Sequence, residues 1–213
     1  MRAYHIISAD MRRTVETMSL VKIDKGARVM VFIDLRNIIK GAAKEISGPF
    51  TVDFVSMTEQ LVDGRNLKAA YVFDGRGDDT SGEEACVNFH RRLEFEGFRV
   101  ITRPSRDSDT REQKEVDVSM ACTMLRHAIR DDFDTAIVVS GDRDFVPAIK
   151  MVQEEGKTVE VASFSKCRSG AIERASDIYH NLSSMPIMKV AQIQKSEGAI
   201  SVDAKEEEVA EAI

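Results

Sequence analysis

The chain has no tryptophan, and aromatic residues make up only 6% of its 213 residues. That leaves little material for stacking bases, so a nucleic-acid partner would be held by its backbone rather than read base by base. The three cysteines, Cys86, Cys122 and Cys167, lie far apart, form no C-x-x-C pair and are odd in number. A disulfide framework and a zinc ribbon are therefore excluded, and the cysteines read as reduced and structural in a cytoplasmic protein. His5, His90, His127 and His180 show no metal-ligand spacing. No apolar run approaches the roughly 18 residues of a membrane span. Asp10 interrupts the short apolar run near the N-terminus, so neither a membrane nor an export signal is expected. The absence of a G-x-S-x-G elbow, a P-loop and a glycine-rich turn after the first apolar run removes serine hydrolases, NTPases and dinucleotide enzymes.

What is present suits one α/β domain of about 150 to 160 residues with flanking segments, 1–27 before it and 184–213 after it. Hydrophobic residues are 43% and charged residues 31% of the chain. The net charge of −6 is unevenly spread: from Lys195 to Ile213, two lysines stand against six acidic residues. That acidic tail names no partner. Residues 91–114 are mildly basic, with seven basic residues against five acidic ones, and read either as a solvated loop or as a phosphate contact.

Short β-branched or aromatic runs near 28–34, 69–74, 98–102, 135–140 and 158–163 alternate with helical patterns near 51–63, 83–96, 115–130 and 144–155. This alternation predicts a three-layer α/β/α domain around an open, parallel, five-stranded sheet of order 3-2-1-4-5. Gly97 and Gly156 each close a helical pattern before a strand, as C-terminal caps do.

In such a sheet, ligands bind beyond the C-terminal strand ends where the order reverses. Asp34 ends VMVFID, the first strand, and Asp142 and Asp144 in SGDRDF follow TAIVV, the fourth. Asp117 extends backward by one turn the helical stripe of Met120, Ala121, Met124, Leu125, Ala128 and Ile129. Separately, Asp117 and Asp144 have bland readings as helix caps and Asp34 as a turn residue. Jointly, four carboxylates at one edge repel each other unless cations fill the gap, which predicts a site for Mg²⁺ or Mn²⁺, one or two ions. Asp74, ending YVFD, would lie at the rim.

The strings FIDLRN, YVFDG, KEVDVSMA, TAIVVSGDRDFVPAIKMVQEEGKTVEVASF and ERASDIYHNL resemble, in that order, the NYN domain of the LabA-like branch of the PIN-like nucleases. The likeness covers about residues 28–183, and its most specific part is SGD-x-DF-x-P. It implies a metal-dependent ribonuclease-type fold with Asp34, Asp117, Asp142 and Asp144 as catalytic metal ligands. It further implies that Asn37, Lys114 and Ser140 lie at the substrate edge; Arg143, a departure from the family, reads either as a phosphate contact or as a solvent-facing residue. Two positions depart from the pattern: Leu35 replaces a usual glycine, and Arg143 a common serine. Asp177 matches a family aspartate that is not tied to metal and reads as structural.

The resulting expectation is an endoribonuclease-like protein that hydrolyses single-stranded RNA. The alternative is a slow or inactive RNA-binding scaffold of the same fold, and a haloacid-dehalogenase-type phosphatase is disfavoured because Leu35-Arg36 stands where a D-x-D nucleophile would be. A homodimer is compatible with the chain.

Overall fold

The computed structural model describes residues 23–76, 83–104 and 109–190. Among the described residues the first element is β1 (Arg28–Asp34), a central strand of the sheet, which runs without a loop into α1 (Leu35–Glu45). There follow β2 (Phe50–Val52), α2 (Phe54–Val62), β3 (Asn66–Arg76), α3 (Glu83–Phe95), β4 (Arg99–Pro104) and α4 (Asp109–Ile129). The second half adds β5 (Thr135–Val139), α5 (Val146–Glu154), β6 (Thr158–Ser163), α6 (Gly170–Ala175), β7 (Ile178–Asn181) and β8 (Met188–Val190).

Six strands form one sheet of order β4-β3-β1-β5-β6-β7, and β2 pairs separately with β8. Every pairing in the large sheet is parallel. The five predicted strands take their expected order, and the sheet gains a sixth, β7. Asp177 lies where β7 begins: its carboxylate accepts from Val159 N at 2.7 Å and its own N–H donates to Val159 O at 2.8 Å, a structural anchor.

Side chains alternate across the sheet as strand geometry requires. Val29, Val31 and Ile33 enter one apolar layer with α1 and α2, together with Val72, while Met30, Phe32 and Phe73 enter the other with α4 and α5. Both faces being covered, β1 and β5 read as continuous apolar runs.

Several elements differ from the sequence reading. The helix α1 was not expected, and neither were β2, α6, β7 and β8. In α1, Leu35, Ile38 and Ala42 are buried at helical spacing. The helix carrying Asp117 starts at Asp109, eight residues before it, so Asp117 sits in the interior of α4 and is no cap. The predicted stripe is also rotated. Val116, Met120, Thr123, Met124, His127 and Ala128 are buried, whereas Ile129 is 63% exposed. Residues 184–190, which the Ser-Ser-Met-Pro break assigns to the tail, pack back onto the domain through the buried Ile187 and the β2–β8 pairing. Gly97 and Gly156 have φ of 96° and 75°, the left-handed conformation of a helix-closing glycine. Residues 1–22 and the acidic tail from 191 lie outside the described residues.

Candidate metal centre

The chain leaves β1 toward β3 and β4, and returns to the other side of β1 with β5, so the topological switch lies between β1 and β5. Asp34 closes β1 at that point. It is also the N-cap of α1, its Oδ1 accepting from Asn37 N at 3.1 Å. Its Oδ2 accepts from Ser140 Oγ at 3.1 Å, just beyond β5. The same Ser140 oxygen accepts from Asp142 N at 3.2 Å, and Asp142 Oδ1 then caps the short 3₁₀ turn 143–145 by accepting from Asp144 N at 3.0 Å. Thus Asp142, rather than Asp144, takes the capping role. Asn37 Oδ1 accepts from Gly141 N at 2.9 Å and so ties the start of α1 to the loop after β5.

Gly141 is required by close packing. A Cβ there would lie 2.2 Å from the carbonyl oxygen of Cys167, a backbone atom that cannot swing away. Gly141 O also accepts from Ser169 N at 3.2 Å, so the loop that carries Asp142 is held from both sides.

The charges of the four aspartates are coupled. Burial raises the Asp34 carboxyl to about 6, against the opposing hydrogen bonds from Asn37 and Ser140, and Asp142 pushes it further up. Asp117 is raised to about 7, first by burial and then by the charges of Asp34, Asp142 and Asp144. The structure therefore brings all four within electrostatic reach of one another. Their exposure is graded: Asp34 is 3% exposed, Asp117 and Asp142 are partly buried, and the Asp144 side chain is 75% exposed beside Arg143. No three of them bring their oxygens within 4.8 Å of one another. Among the described residues, the group of three or more metal-ligating side chains with donor atoms all within 4.8 Å is a different one, Asp74, Cys86 and His90.

The substrate-edge residues separate. Ser140, expected at the substrate edge, is fully buried, its hydroxyl donating to Asp34 and accepting from the Asp142 N–H. Arg143 is exposed, and Asn37 is half-buried. Lys114 belongs to α4, with its side chain outside the described residues. One residue escaped the sequence reading: Lys40, exposed on α1, lowers the pKa of both Asp34 and Asp117 and so projects a positive charge onto the site. Only a helix through LRNIIK, placing Lys40 one turn beyond Asn37, would have revealed it. A shallow groove of about 680 Å³ beside Arg103, Ser119, Cys122 and Arg126 follows the side of α4 away from Asp117 and is not part of this cluster.

The donor set suits a hard divalent cation. It offers carboxylate oxygens without sulfur or imidazole, and the burial and mutual charge that raise Asp34 and Asp117 are what a bound cation would offset. No helix among the described residues is long and apolar enough to cross a membrane.

Comparison with known proteins supports the same frame. A crystal structure of a protein of unknown function from Vibrio parahaemolyticus superposes with a TM-score of 0.62 at 20% identity, covering 76% of this chain and 96% of that one. At that identity the likeness is one of fold. No curated protein matches the chain. The model of the NYN domain matches residues 28–184, from the first residue of β1 to the end of the turn after β7, and on that match the chain belongs to the NYN domain family.

Proposed function

We propose that this protein is a Mg²⁺- or Mn²⁺-dependent ribonuclease that cleaves single-stranded RNA, and that it belongs to the LabA-like branch whose motifs its sequence resembles. The observation carrying this reading is the placement of Asp34, Asp142 and Asp144 at the switch of a parallel sheet with Asp117 on the adjoining helix, where burial and mutual charge raise Asp34 and Asp117. A divalent ion held by these four would neutralise phosphodiester charge and activate water for hydrolysis. The chain's own groups do the rest. Ser140 and the loop amides fix the carboxylates, Asp34 through Ser140 Oγ and Asn37 N, Asp142 by its N–H on Ser140. Asn37 of α1 bonds to the loop after β5 at Gly141, and Lys40 and Arg143 are exposed on those two segments, where they suit contact with the RNA backbone. The scarcity of aromatics favours recognition of phosphates over bases. The cysteines form no disulfide, in keeping with a reducing, cytoplasmic setting.

The test is cleavage of an unstructured RNA by the full chain, with a stable hairpin and single-stranded DNA as comparators. Cleavage is expected with Mn²⁺ or Mg²⁺, is lost in excess chelator, returns when the ion is restored, and is strongest on the unstructured RNA. RNA binding with no cleavage under any divalent ion would overturn the enzymatic reading in favour of the scaffold. A second expectation concerns Lys40. In Lys40→Ala, RNA affinity falls at low salt and the slope of log K against log salt becomes shallower by about 1, the signature of one lost phosphate contact. Titrations by fluorescence anisotropy at several salt concentrations check this.

A further inference from the structure

A second constellation lies at the same edge of the sheet but on its other face. Asp74 follows Phe73 on β3 and so shares the face of Val72, that of α1 and α2, whereas Asp34 shares the face of Phe32 and α4. Two residues of α3, Cys86 and His90, stand four apart and therefore project from one side of that helix. His90 Nε2 lies 2.8 Å from Asp74 Oδ2 and 3.8 Å from Cys86 Sγ, and all three donor atoms fall within 4.8 Å of one another. Asp74 and His90 are 3% and 4% exposed.

We propose that Asp74, Cys86 and His90 form a binding site for a thiophilic divalent cation of the Zn²⁺ class, separate from the carboxylate cluster. The distances support it. A tetrahedral zinc ion with ordinary bond lengths sets sulfur and nitrogen ligands about 3.6 Å apart and nitrogen and oxygen ligands about 3.4 Å apart. The Cys86–His90 separation of 3.8 Å is already near the first value, and the Asp74–His90 contact of 2.8 Å needs to open by only about 0.6 Å. The donor set also sorts the ions: thiolate and imidazole select zinc over magnesium and manganese, the reverse of four carboxylates. The outer partners are in place as well. Arg36 Nε donates to Asp74 Oδ1 at 3.3 Å and its NH2 to Gly75 O at 2.6 Å, holding the carboxylate so that Oδ2 faces His90. The Arg36 charge weakens cation affinity but neutralises part of the −2 that an ionised Asp74 and Cys86 would carry. Three protein ligands leave the fourth position to water, and the ion would fasten α3 to the end of β3.

Cobalt is the probe, because Co²⁺ bound by a thiolate gives a charge-transfer absorption in the near ultraviolet that carboxylate sites lack. The metal-stripped, reduced full chain is titrated with Co²⁺. One saturable equivalent of that absorption is expected, displaced by Zn²⁺ but not by a hundredfold excess of Mg²⁺. It is lost in Cys86→Ser, kept in Cys122→Ser and Cys167→Ser, and kept in the Asp34→Asn/Asp142→Asn double variant, so this site stands or falls independently of the proposed nuclease centre. Absence of the band up to millimolar Co²⁺, or its persistence in folded Cys86→Ser, overturns the proposal. The unsubstituted protein gives a second reading that needs no variant: Zn²⁺ is expected to slow alkylation of Cys86 at least tenfold by peptide mapping, and an unchanged rate at Cys86 overturns it equally.

Discussion

Asp34→Asn and Asp142→Asn will each lower Mn²⁺-dependent RNA cleavage by about a thousandfold or more, the loss expected when several kcal/mol of transition-state charge stabilisation disappear. Both substitutions conserve volume and keep an oxygen that can accept the local backbone hydrogen bond, from Asn37 N in one case and Asp144 N in the other, so circular dichroism should show an intact fold. Wild-type cleavage rates in either purified variant would remove these carboxylates from the mechanism. The same substitutions have a thermodynamic signature. Asp34 and Asp117 bind protons more tightly in the folded chain, at about 6 and about 7, than in the unfolded chain. Their contribution to stability is therefore full below the ordinary carboxylate value and is lost as pH rises through 6 and then 7. Metal-free protein should lose melting temperature over that window, and Mn²⁺ should restore more of it at pH 8 than at pH 5. Asp34→Asn should flatten the decline. His90, which burial alone would lower but which Asp74 and Cys86 hold at about 9, contributes a constant amount below about 6.5 and loses it as pH rises from there through 9, so the decline between pH 4 and 6 is the part that reads the two aspartates. A metal-free melting curve independent of pH between 4 and 7 would contradict the packing of charge described for this edge.

Glu160→Gln should destabilise the domain by about 3 to 5 kcal/mol, a loss on the order of 10 °C in melting temperature, measured by chemical and thermal denaturation. Glu160 on β6 is 1% exposed and faces Arg65, just after α2, at 2.5 and 3.0 Å. Arg65 also donates to the carbonyls of Val62 and Leu61, and His180 on β7 lies 2.8 Å from the second Glu160 oxygen. Burial would raise the Glu160 carboxyl, but His180 and Arg65 outweigh it and hold the pKa below its usual value. Neutralising the acid leaves the guanidinium charged and without its counterion in a dry layer. The reverse comparison isolates that cause: replacing both partners, Arg65→Met with Glu160→Leu, should recover most of the loss. A double variant as unstable as Glu160→Gln would mean that shape, and not stranded charge, decides this position.

These two sites differ in how far the sequence announced them. Three of the four aspartates at this edge, Asp34, Asp142 and Asp144, sit just after apolar runs whose neighbouring places in a parallel sheet follow from the alternation of strands and helices, so their placement at one edge was legible. Asp117 was legible through the helical stripe it extends, although the helix proved longer and the stripe rotated toward Thr123 and His127. The helix α1 was not, because no loop separates it from β1: one residue, Asp34, ends the strand and caps the helix, and Gly41 breaks the pattern in its middle. That glycine is there because a Cβ would meet the Phe164 ring at 2.8 Å, a contact invisible before folding. Losing α1 hid Lys40 as well. The Arg65–Glu160 pair and the Asp74–Cys86–His90 cluster each join segments through tertiary packing alone, and a charged residue inside an apolar run such as TVEVAS gives no sign of what it will meet. The complete burial of Ser140 and its bonds to Asp34 and Asp142 gave no sign in the string SGDRDF.

The all-parallel sheet constrains the order in which the chain can fold. With no hairpin among the six strands, no pairing in it can form early from near neighbours, and each must await closure of a longer segment. On a ribosome, β1, β3 and β4 emerge first and can assemble as one half while the other flank of β1 stays bare until β5 arrives. Asp34 and Ser140 are 106 residues apart. The half-made protein therefore carries Asp34 and Asp117 without Asp142, and the four aspartates share one sheet edge only after β5 has joined β1.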